Sequence, residues 1–467
     1  MRVAMMNLSR LLAVLVVASL ATALDAETRV PQSQAEIGLG FAPLVKEAAP
    51  AVVNIYARRV VETRQSPFMD DPFFGDFFRQ FGNSRPRVQN SLGSGVILSE
   101  DGIVVSNFHV VGMATDIRVV LSDRREYSAH VVLGDEESDL AILQLEAARN
   151  LPHLGLRDSD QVEVGELVLA IGNPFGVGQT VSSGIISGLA RSGVLTGQAR
   201  GYFLQTDAPI NPGNSGGALI DVNGDLIGIN TAILSRSGGS NGIGFAIPAN
   251  LVAQFVQQAR AGNDEFVRPW AGMTGQPVAA DMAMSLGLAV PEGIVISDLH
   301  RESPFAVAGI QVGDVITHVD GLAVNSPSEM LFRMSVAGVG STAQITRMCG
   351  DKRDIVDVAM IAAPDSPPAD ERKLGRDTAL PGLTVARANP ATIARLGLPL
   401  STSGVVVVAP GPFGARAGLR VGDSITRINR APVETTADVA LALAGSERWV
   451  LIDLSRRGQP LQLRFRL

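Results

Sequence analysis

Residues 206–220, TDAPINPGNSGGALI, place one serine, Ser215, among glycines and prolines just before an apolar run. A serine hydroxyl is a weak nucleophile and needs a base, usually a histidine that a carboxylate orients. The N–H groups of Gly213 and Ser215 could together hold a developing oxyanion. Gly216 and Gly217 would let a substrate backbone approach closely. A glycine-rich turn whose serine has no catalytic role would have the same sequence pattern. Whether the chain also offers a suitable base and acid for Ser215 decides between the two interpretations.

The chain has five histidines, and they limit the choice of a base: His109, His130, His153, His300 and His318. His109 ends the apolar strand in VVSNFHVVG, where a side chain can be held rigidly and still face a cleft. Asp139, in DEESDLAILQL, opens a strongly apolar strand and would be partly buried, as an orienting carboxylate should be. The acids before it are predicted to be solvated turn residues: Asp135, Glu136 and Glu137. The sequence thus predicts His109 as base, Asp139 as its orienting partner and Ser215 as nucleophile.

Composition excludes several other functions for the 467 residues. The net charge of −7 gives no support to nucleic-acid binding. No GxxxxGK[ST] phosphate loop occurs, so no nucleotide is expected, and no other cofactor is indicated. Histidine and cysteine are too few for a metal site, and H-E-x-x-H does not occur. The single cysteine, Cys349, allows no internal disulfide.

The first residues have the pattern of a secretory signal peptide. Arg2 and Arg10 form a positive region, residues 11–20 form a short apolar run, and small residues follow. We therefore predict a signal peptide over residues 1–26. An exported multidomain chain with a single cysteine favours a bacterial periplasmic location for the rest. The alternative is an uncleaved membrane anchor, for which the apolar run is short.

The organisation of the remaining chain is predicted from its repeats. Many short apolar strands broken by turn residues, from 92 to 247, favour a β-barrel or sandwich, and a helical pattern follows at 248–261. AGIQVGDVITHVDG begins at Ala308 and AGLRVGDSITRINR at Ala417, which indicates two copies of one small domain. A proline-, alanine- and charge-rich linker, residues 362–377, separates them.

The blocks SNFHVV, DLAIL and NPGNSGGALI, with two C-terminal repeats, resemble the HtrA family of serine proteases and its periplasmic DegP/Do-type branch. The resemblance implies a mainly β chain: a chymotrypsin-like double β-barrel protease domain, then two small PDZ-type α/β domains. It places the protease domain at 27–263 and the PDZ domains at 264–361 and 378–467. It implies an ATP-independent serine endopeptidase that degrades unfolded or misfolded proteins and cuts after small aliphatic residues.

The resemblance also implies roles for further residues. Gly213 and Asn214 would belong to the oxyanion loop, and INTAI would line the specificity pocket with Thr231, Ala232 and Ile233. The candidates for the carboxylate-binding loops of the two PDZ domains are Ala271, Gly272, Met273, Pro381, Gly382 and Leu383. The sequence departs from the family pattern at Pro209 and at RPWAGM, residues 268–273. The second repeat would either bind peptides or have a purely structural role.

Partners follow from the same resemblance. PDZ domains would capture hydrophobic C-terminal peptides, and the chain would form homotrimers that assemble further into cages. Residues 65–89 carry six phenylalanines and would form a regulatory loop that meets a neighbouring subunit, or else fold back on their own domain. Two other functions stay open: a holdase chaperone or PDZ scaffold with secondary proteolysis, and a narrow regulatory protease.

Overall fold

The structure is a computed structural model that describes residues 40–61, 87–173, 178–189, 202–211, 213–233, 240–286, 288–350, 352–444 and 449–466. The predicted signal peptide and most of the phenylalanine-rich loop lie outside these ranges. The chain divides into two units, residues 1–46 and 47–467, and every site described below belongs to the second. A helix, α1 (Ala42–Ala48), comes first among the described residues. None of the described helices is long and apolar enough to cross a membrane.

The first domain begins with a closed six-stranded barrel in the order β1-β2-β3-β6-β5-β4. Its strands are β1 (Val52–Val61), β2 (Arg87–Ile97), β3 (Ile103–Ser106), β4 (Asp116–Val120), β5 (Glu126–Asp135) and β6 (Leu140–Leu145). β4 alternates between exposed and buried residues, as a strand with one face in a core must, whereas β3 is buried throughout. One turn of helix, α2 (Phe108–Val111), follows β3 and carries His109.

A second closed barrel repeats the same strand order, β7-β8-β9-β12-β11-β10. Its strands are β7 (Leu167–Gly172), β8 (Thr180–Gly188), β9 (Leu204–Thr206), β10 (Ala218–Ile220), β11 (Leu226–Ile233) and β12 (Gly244–Pro248). The predicted helix is present as α3 (Ala249–Arg260), which buries its apolar face. The two barrels confirm the predicted double-barrel fold.

The first small domain is a sheet in the order β13-β14-β15-β17-β18, with β16 paired to β15. Its elements are β13 (Met273–Pro277), α4 (Ala280–Ser285), β14 (Ile294–Leu299), α5 (Pro304–Val307), β15 (Val315–Val319), β16 (Leu322–Ala323), α6 (Pro327–Ala337), β17 (Thr342–Cys349) and β18 (Lys352–Ala359). The Ser326 hydroxyl accepts from the N–H of Glu329 and so caps the start of α6. Within the described chain, β13 is an edge strand that pairs with β14 alone.

The second small domain has the same pattern with one additional strand, in the order β19-β20-β21-β22-β24-β25. Its elements are β19 (Arg372–Lys373), β20 (Thr384–Arg387), α7 (Pro390–Leu396), β21 (Val405–Ala409), α8 (Gly411–Arg416), β22 (Ser424–Ile428), β23 (Ala431–Pro432), α9 (Thr436–Ala444), β24 (Trp449–Arg456) and β25 (Gln459–Arg466). The extra strand, β19, lies inside the segment predicted as a linker and covers the edge of β20.

The first small domain is held against the double-barrel domain by a buried arginine of α6. Arg333 is only 9% exposed, pairs with Asp160 and donates to the Tyr202 hydroxyl at 3.0 Å. The Tyr202 ring stacks on Phe332 at 4.1 Å. Burial raises the pKa of Tyr202, although the charge of Arg333 opposes this shift. These contacts fix α6 beside the residue that leads into β9.

Candidate active site

The glycines around Ser215 are required by close backbone approaches. Gly213 has φ +102° and Gly216 has φ +82°, both in the region that favours glycine. A Cβ on Gly216 would overlap the carbonyl oxygen of Ser94, and one on Gly217 would overlap that of Ile171. The loop after β9 therefore passes directly against strands of both barrels, which is why its composition is so rich in glycine.

His109 and Asp139 are brought together by neighbouring strands of the first barrel. His109 follows β3 and Asp139 immediately precedes β6, which pairs with β3. The Nδ1 atom of His109 lies 2.9 Å from each carboxylate oxygen of Asp139. The backbone N–H of His109 also donates to Oδ1 of Asp139 at 3.0 Å. Both side chains are about one-quarter exposed, so the imidazole is fixed and still open to a cleft.

Thr231 connects this pair to Ser215 across the junction of the barrels. Its hydroxyl donates to Oδ2 of Asp139 at 2.7 Å, and its carbonyl accepts from the Ser215 hydroxyl at 3.3 Å. The structure thus gathers the predicted His109, Asp139 and Ser215 around one residue of β11. The sequence associated Thr231 with substrate, but its hydroxyl faces the carboxylate. The side chains of Ala232 and Ile233 lie outside the described part of the structure.

The peptide groups around Ser215 leave two backbone donors for a ligand. Among the described residues, no acceptor bonds the N–H of Gly213 or that of Ser215. The N–H of Asn214 donates to Asn211 O at 3.0 Å, and the Asn214 side chain is buried against Gly172. Asn214 therefore spaces the two donors and does not itself face a substrate. Two such donors beside a serine hydroxyl are the groups that could stabilise an oxyanion.

Ser94 of β2 anchors this loop, and sequence reasoning missed it. Its hydroxyl donates to Gly213 O at 2.6 Å and accepts from the N–H of Asn173 at 2.8 Å. Its N–H donates to Ser215 O at 2.9 Å, and its own carbonyl accepts from the Ser106 hydroxyl at 2.8 Å. Ser94 is fully buried. The only signal in the sequence was its place in GSGVI, between two glycines.

We expect Ser94→Ala to lower kcat for a peptide substrate more than it raises KM. Without the hydroxyl, the peptide between Gly213 and Asn214 keeps only the bond from the Asn214 N–H to Asn211 O, so the loop that carries the two donors is held less firmly. The loss should be about 10- to 100-fold, below the ~10²–10³ that follows removal of a donor itself. Steady-state kinetics beside Ser106→Ala, which removes a buried hydroxyl one bond farther from the loop, provide the test. Equal kcat values for the two variants would contradict this role.

One predicted feature of the turn before Asp139 is wrong. Asp135 was expected to be solvated, but its side chain is only 14% exposed and pairs with Arg268. The Nη2 atom of Arg268 also donates to Ser138 Oγ at 2.7 Å. Burial alone would lower the pKa of Arg268, but the hydrogen bond to Asp135 outweighs it and the pKa is raised. The chain entering the first small domain therefore braces the turn that carries Asp139, while Glu136 and Glu137 are exposed as predicted.

The two predicted carboxylate-binding loops differ in their free donors. In the first, Gly272 has φ +58° and the Ala271 carbonyl is held by the Ser303 hydroxyl at 2.5 Å. The N–H groups of Ala271 and Gly272 donate to no acceptor within the described chain. In the second, the N–H groups of Gly382 and Leu383 are already bonded to carbonyls of the same domain. Pro381 precedes them and lacks an N–H.

Pro209, which departs from the expected pattern, is exposed at the approach to the active-site loop. Its carbonyl accepts from the Ser182 hydroxyl at 2.6 Å. The proline therefore lies on the surface, where it displaces no core side chain. Among the residues that the structure describes, no group of acidic, histidine or cysteine side chains could hold a metal ion.

Comparisons with known proteins agree with this geometry. Residues 93–229 match the family model of the trypsin-like peptidase domain, and residues 256–360 and 404–453 match PDZ domain models. A probable periplasmic serine endoprotease, DegP-like, of Halomonas elongata is 38% identical over 91% of this chain and 93% of its own. The periplasmic pH-dependent serine endoprotease DegQ of Escherichia coli is 35% identical over 91% of both chains. The solved structure of the HtrA-type protease AlgW with a decapeptide is 40% identical, with a TM-score of 0.51, and the match covers 70% of this chain and 99% of that one.

Proposed function

The chain belongs to the HtrA family of serine endoproteases and is a serine endopeptidase, and we propose that His109, Asp139 and Ser215 carry its reaction. The observation that supports this best is the pair of 2.9 Å distances from His109 Nδ1 to Asp139. A carboxylate there holds the Nδ1–H tautomer and leaves Nε2 unprotonated. Nε2 can then accept the proton of the Ser215 hydroxyl as its oxygen attacks a peptide carbonyl, and later return it to the leaving amine.

The remaining groups stabilise the charges that form during this step. The imidazolium of His109 is stabilised by Asp139, which keeps its orientation through bonds from Thr231 Oγ1 and from the N–H of His109. The negative oxygen of the tetrahedral intermediate would lie between the N–H groups of Gly213 and Ser215. Donors that are fixed in this loop before reaction would need little reorganisation when the charge develops.

For substrates, we propose unfolded or misfolded polypeptides, cut after small aliphatic residues without ATP. A substrate's terminal carboxylate would be captured by the free N–H groups of Ala271 and Gly272. Its backbone would then extend the sheet along the unpaired edge of β13. We further propose the boundaries 27–263, 264–361 and 378–467 for the three domains, with β19 of the preceding segment packed against the third. Family resemblance alone supports the trimeric or cage-like assembly, which sedimentation of the purified protein would test.

Location in the periplasm is proposed from two independent features. The relatives named above are called periplasmic, and residues 1–26 have the charge and apolar pattern of an export signal. We propose that this segment is cleaved after export. N-terminal sequencing of the protein from a periplasmic extract would show a start near residue 27, and an intact Met1 would contradict the proposal.

The function is tested with unfolded casein and a fluorophosphonate probe, in the presence of EDTA and without ATP. We expect casein to be degraded and the probe to label one residue, Ser215, as mapped by mass spectrometry. Labelling without casein degradation would indicate a competent site with a narrower substrate. A chain that neither labels nor cuts, but keeps casein from aggregating, would favour the holdase chaperone instead.

A further inference from the structure

The segment of residues 369–374 lies along β20 of the second PDZ domain. Its strand, β19, is Arg372–Lys373, and Asp370, with φ +43°, turns the chain before it. Arg372 pairs with Val385 and Lys373 with Thr384 in antiparallel register. The N–H of Arg387 donates to Ala369 O at 2.7 Å and extends the pairing beyond β19. An extended peptide added antiparallel to a sheet edge is how PDZ domains bind their ligands. The segment therefore has the position and direction of a bound peptide.

Leu374 follows this strand and is held in the manner of a ligand's C-terminal residue. Its N–H donates to Leu383 O at 2.8 Å, and its carbonyl accepts from the N–H of Gly382 at 2.9 Å. Its side chain is 4% exposed and belongs to the domain core with Leu380 and Leu443, whereas Arg372 and Lys373 are exposed. One buried terminal side chain, one captured carbonyl and exposed upstream side chains are the features of a peptide held by its end.

In the first PDZ domain, none of the described residues occupies the equivalent groove. Gly272 corresponds to Gly382 in the repeat, and both have positive φ. Yet the N–H of Gly272 has no acceptor within the described residues, and β13 has no strand on its outer side. The second groove thus holds the strand β19 and the leucine that follows it, which have no counterpart among the described residues of the first groove.

Side-chain contacts hold the segment in place at several points. Asp370 accepts from the hydroxyl of Thr436, in the first turn of α9. Glu371 accepts from Arg395 of α7 at 2.6 Å, an exposed pair of modest strength. Upstream, Asp365 accepts from the side-chain amide of Asn389 at 2.6 Å. The segment is therefore bonded to two of the helices described in this domain, α7 and α9.

We propose that residues 369–374 are a built-in ligand of the second PDZ groove, which excludes C-terminal peptides there and leaves the first PDZ domain as the open site. The groove itself selects an extended peptide that ends in leucine or a similar aliphatic residue. A tethered ligand acts at an effective concentration on the order of mM, so only a small fraction of the grooves is open at any time. The apparent affinity of a free peptide is reduced in proportion to that open fraction. The inference rests on the peptide-binding role proposed for the PDZ loops and is independent of the catalytic residues.

The test uses the full chain carrying Ser215→Ala, so that peptides are not cut. The probe is the hexapeptide Ala-Asp-Glu-Arg-Lys-Leu with a free carboxylate and an N-terminal photoreactive group, and cross-linked residues are mapped by mass spectrometry. We expect cross-links in the first PDZ domain only. Adding Leu374→Ala should raise cross-linking near β20 by about tenfold or more, because the open fraction of the groove rises. Leu454→Ala, a buried core leucine of β24 away from the groove, should not.

Hydrogen exchange gives a second measurement that needs no change in the second domain. The amides of Leu374 and Gly382 should be protected without peptide, whereas that of Gly272 should become protected only when peptide is added. If Leu374→Ala unfolds the domain, this pattern decides the question alone. Cross-links to β20 before any substitution, with unprotected amides at Leu374 and Gly382, would overturn the inference. If neither PDZ domain of either variant is cross-linked, the peptide-binding role proposed for the PDZ loops, on which this inference rests, would be wrong. Casein cleavage by the chain with Ser215 intact tests the catalytic proposal separately and would not be affected.

Discussion

Ser215→Ala is expected to lower kcat for peptide hydrolysis by about 10⁶-fold, as loss of the nucleophile does in other serine proteases. The hydroxyl lies 3.3 Å from Thr231 O. No other residue of the described loop, residues 213–217, carries a nucleophilic side chain, because the others are glycines and the buried Asn214. Folding should be little changed, because Ser215 is only partly buried and its backbone bonds remain.

Single-turnover and steady-state assays with a fluorogenic peptide measure this loss, and thermal unfolding controls for the fold. Ser182→Ala is a matched substitution, since it also removes a hydroxyl that donates to a backbone carbonyl, at 2.6 Å, but on the outer surface of β8. It should keep the parent's activity. A Ser215→Ala variant that still cleaves within about tenfold of the parent, far inside the expected loss, would show that the nucleophile is another residue.

Asp139→Asn is expected to lower kcat by about 10⁴-fold with little change in folding. The backbone N–H of His109 bonds Oδ1, so the asparagine oxygen should take that position and its NH₂ the position of Oδ2. That NH₂ would face Nδ1 of His109 at 2.9 Å and donate to it. The imidazole would then carry its proton on Nε2, where it cannot accept the proton of Ser215.

The pH profile separates this tautomer effect from simple misfolding. Activity of Asp139→Asn should recover in part at alkaline pH, where hydroxide can take the serine proton without the histidine. Thr231→Val is the companion variant, because it removes the 2.7 Å bond to Asp139 but leaves the carboxylate in place. We expect a loss about 10- to 100-fold for it, the usual range for one orienting partner. Equal losses in the two variants would argue against the tautomer explanation.

Sequence reasoning found the chemistry because residue types and local patterns encode it. GNSGG specifies a loop that only glycine can form, and φ +102° at Gly213 and +82° at Gly216 give the reason. The few histidines restricted the base to His109, and an apolar strand beginning after Asp139 marked a partly buried acid. The strand periodicity predicted a β fold, and the repeated VGD blocks predicted two copies of a small domain.

Contacts between residues distant in sequence could not be read from such patterns. Ser94 meets Gly213 across 119 residues, and Asp135 meets Arg268 across 133, so nothing local marks either pair. The linker prediction for 362–377 followed from composition. Arg372–Lys373 nevertheless forms a strand because β20 offers an edge with which it can pair, and Leu374 is buried in the same core as Leu443. The sequence alone determined which side chains could react and which segments could pair. Only the tertiary structure decided which partners they found, because the free energy of each pairing depends on a neighbour that folding must first bring near.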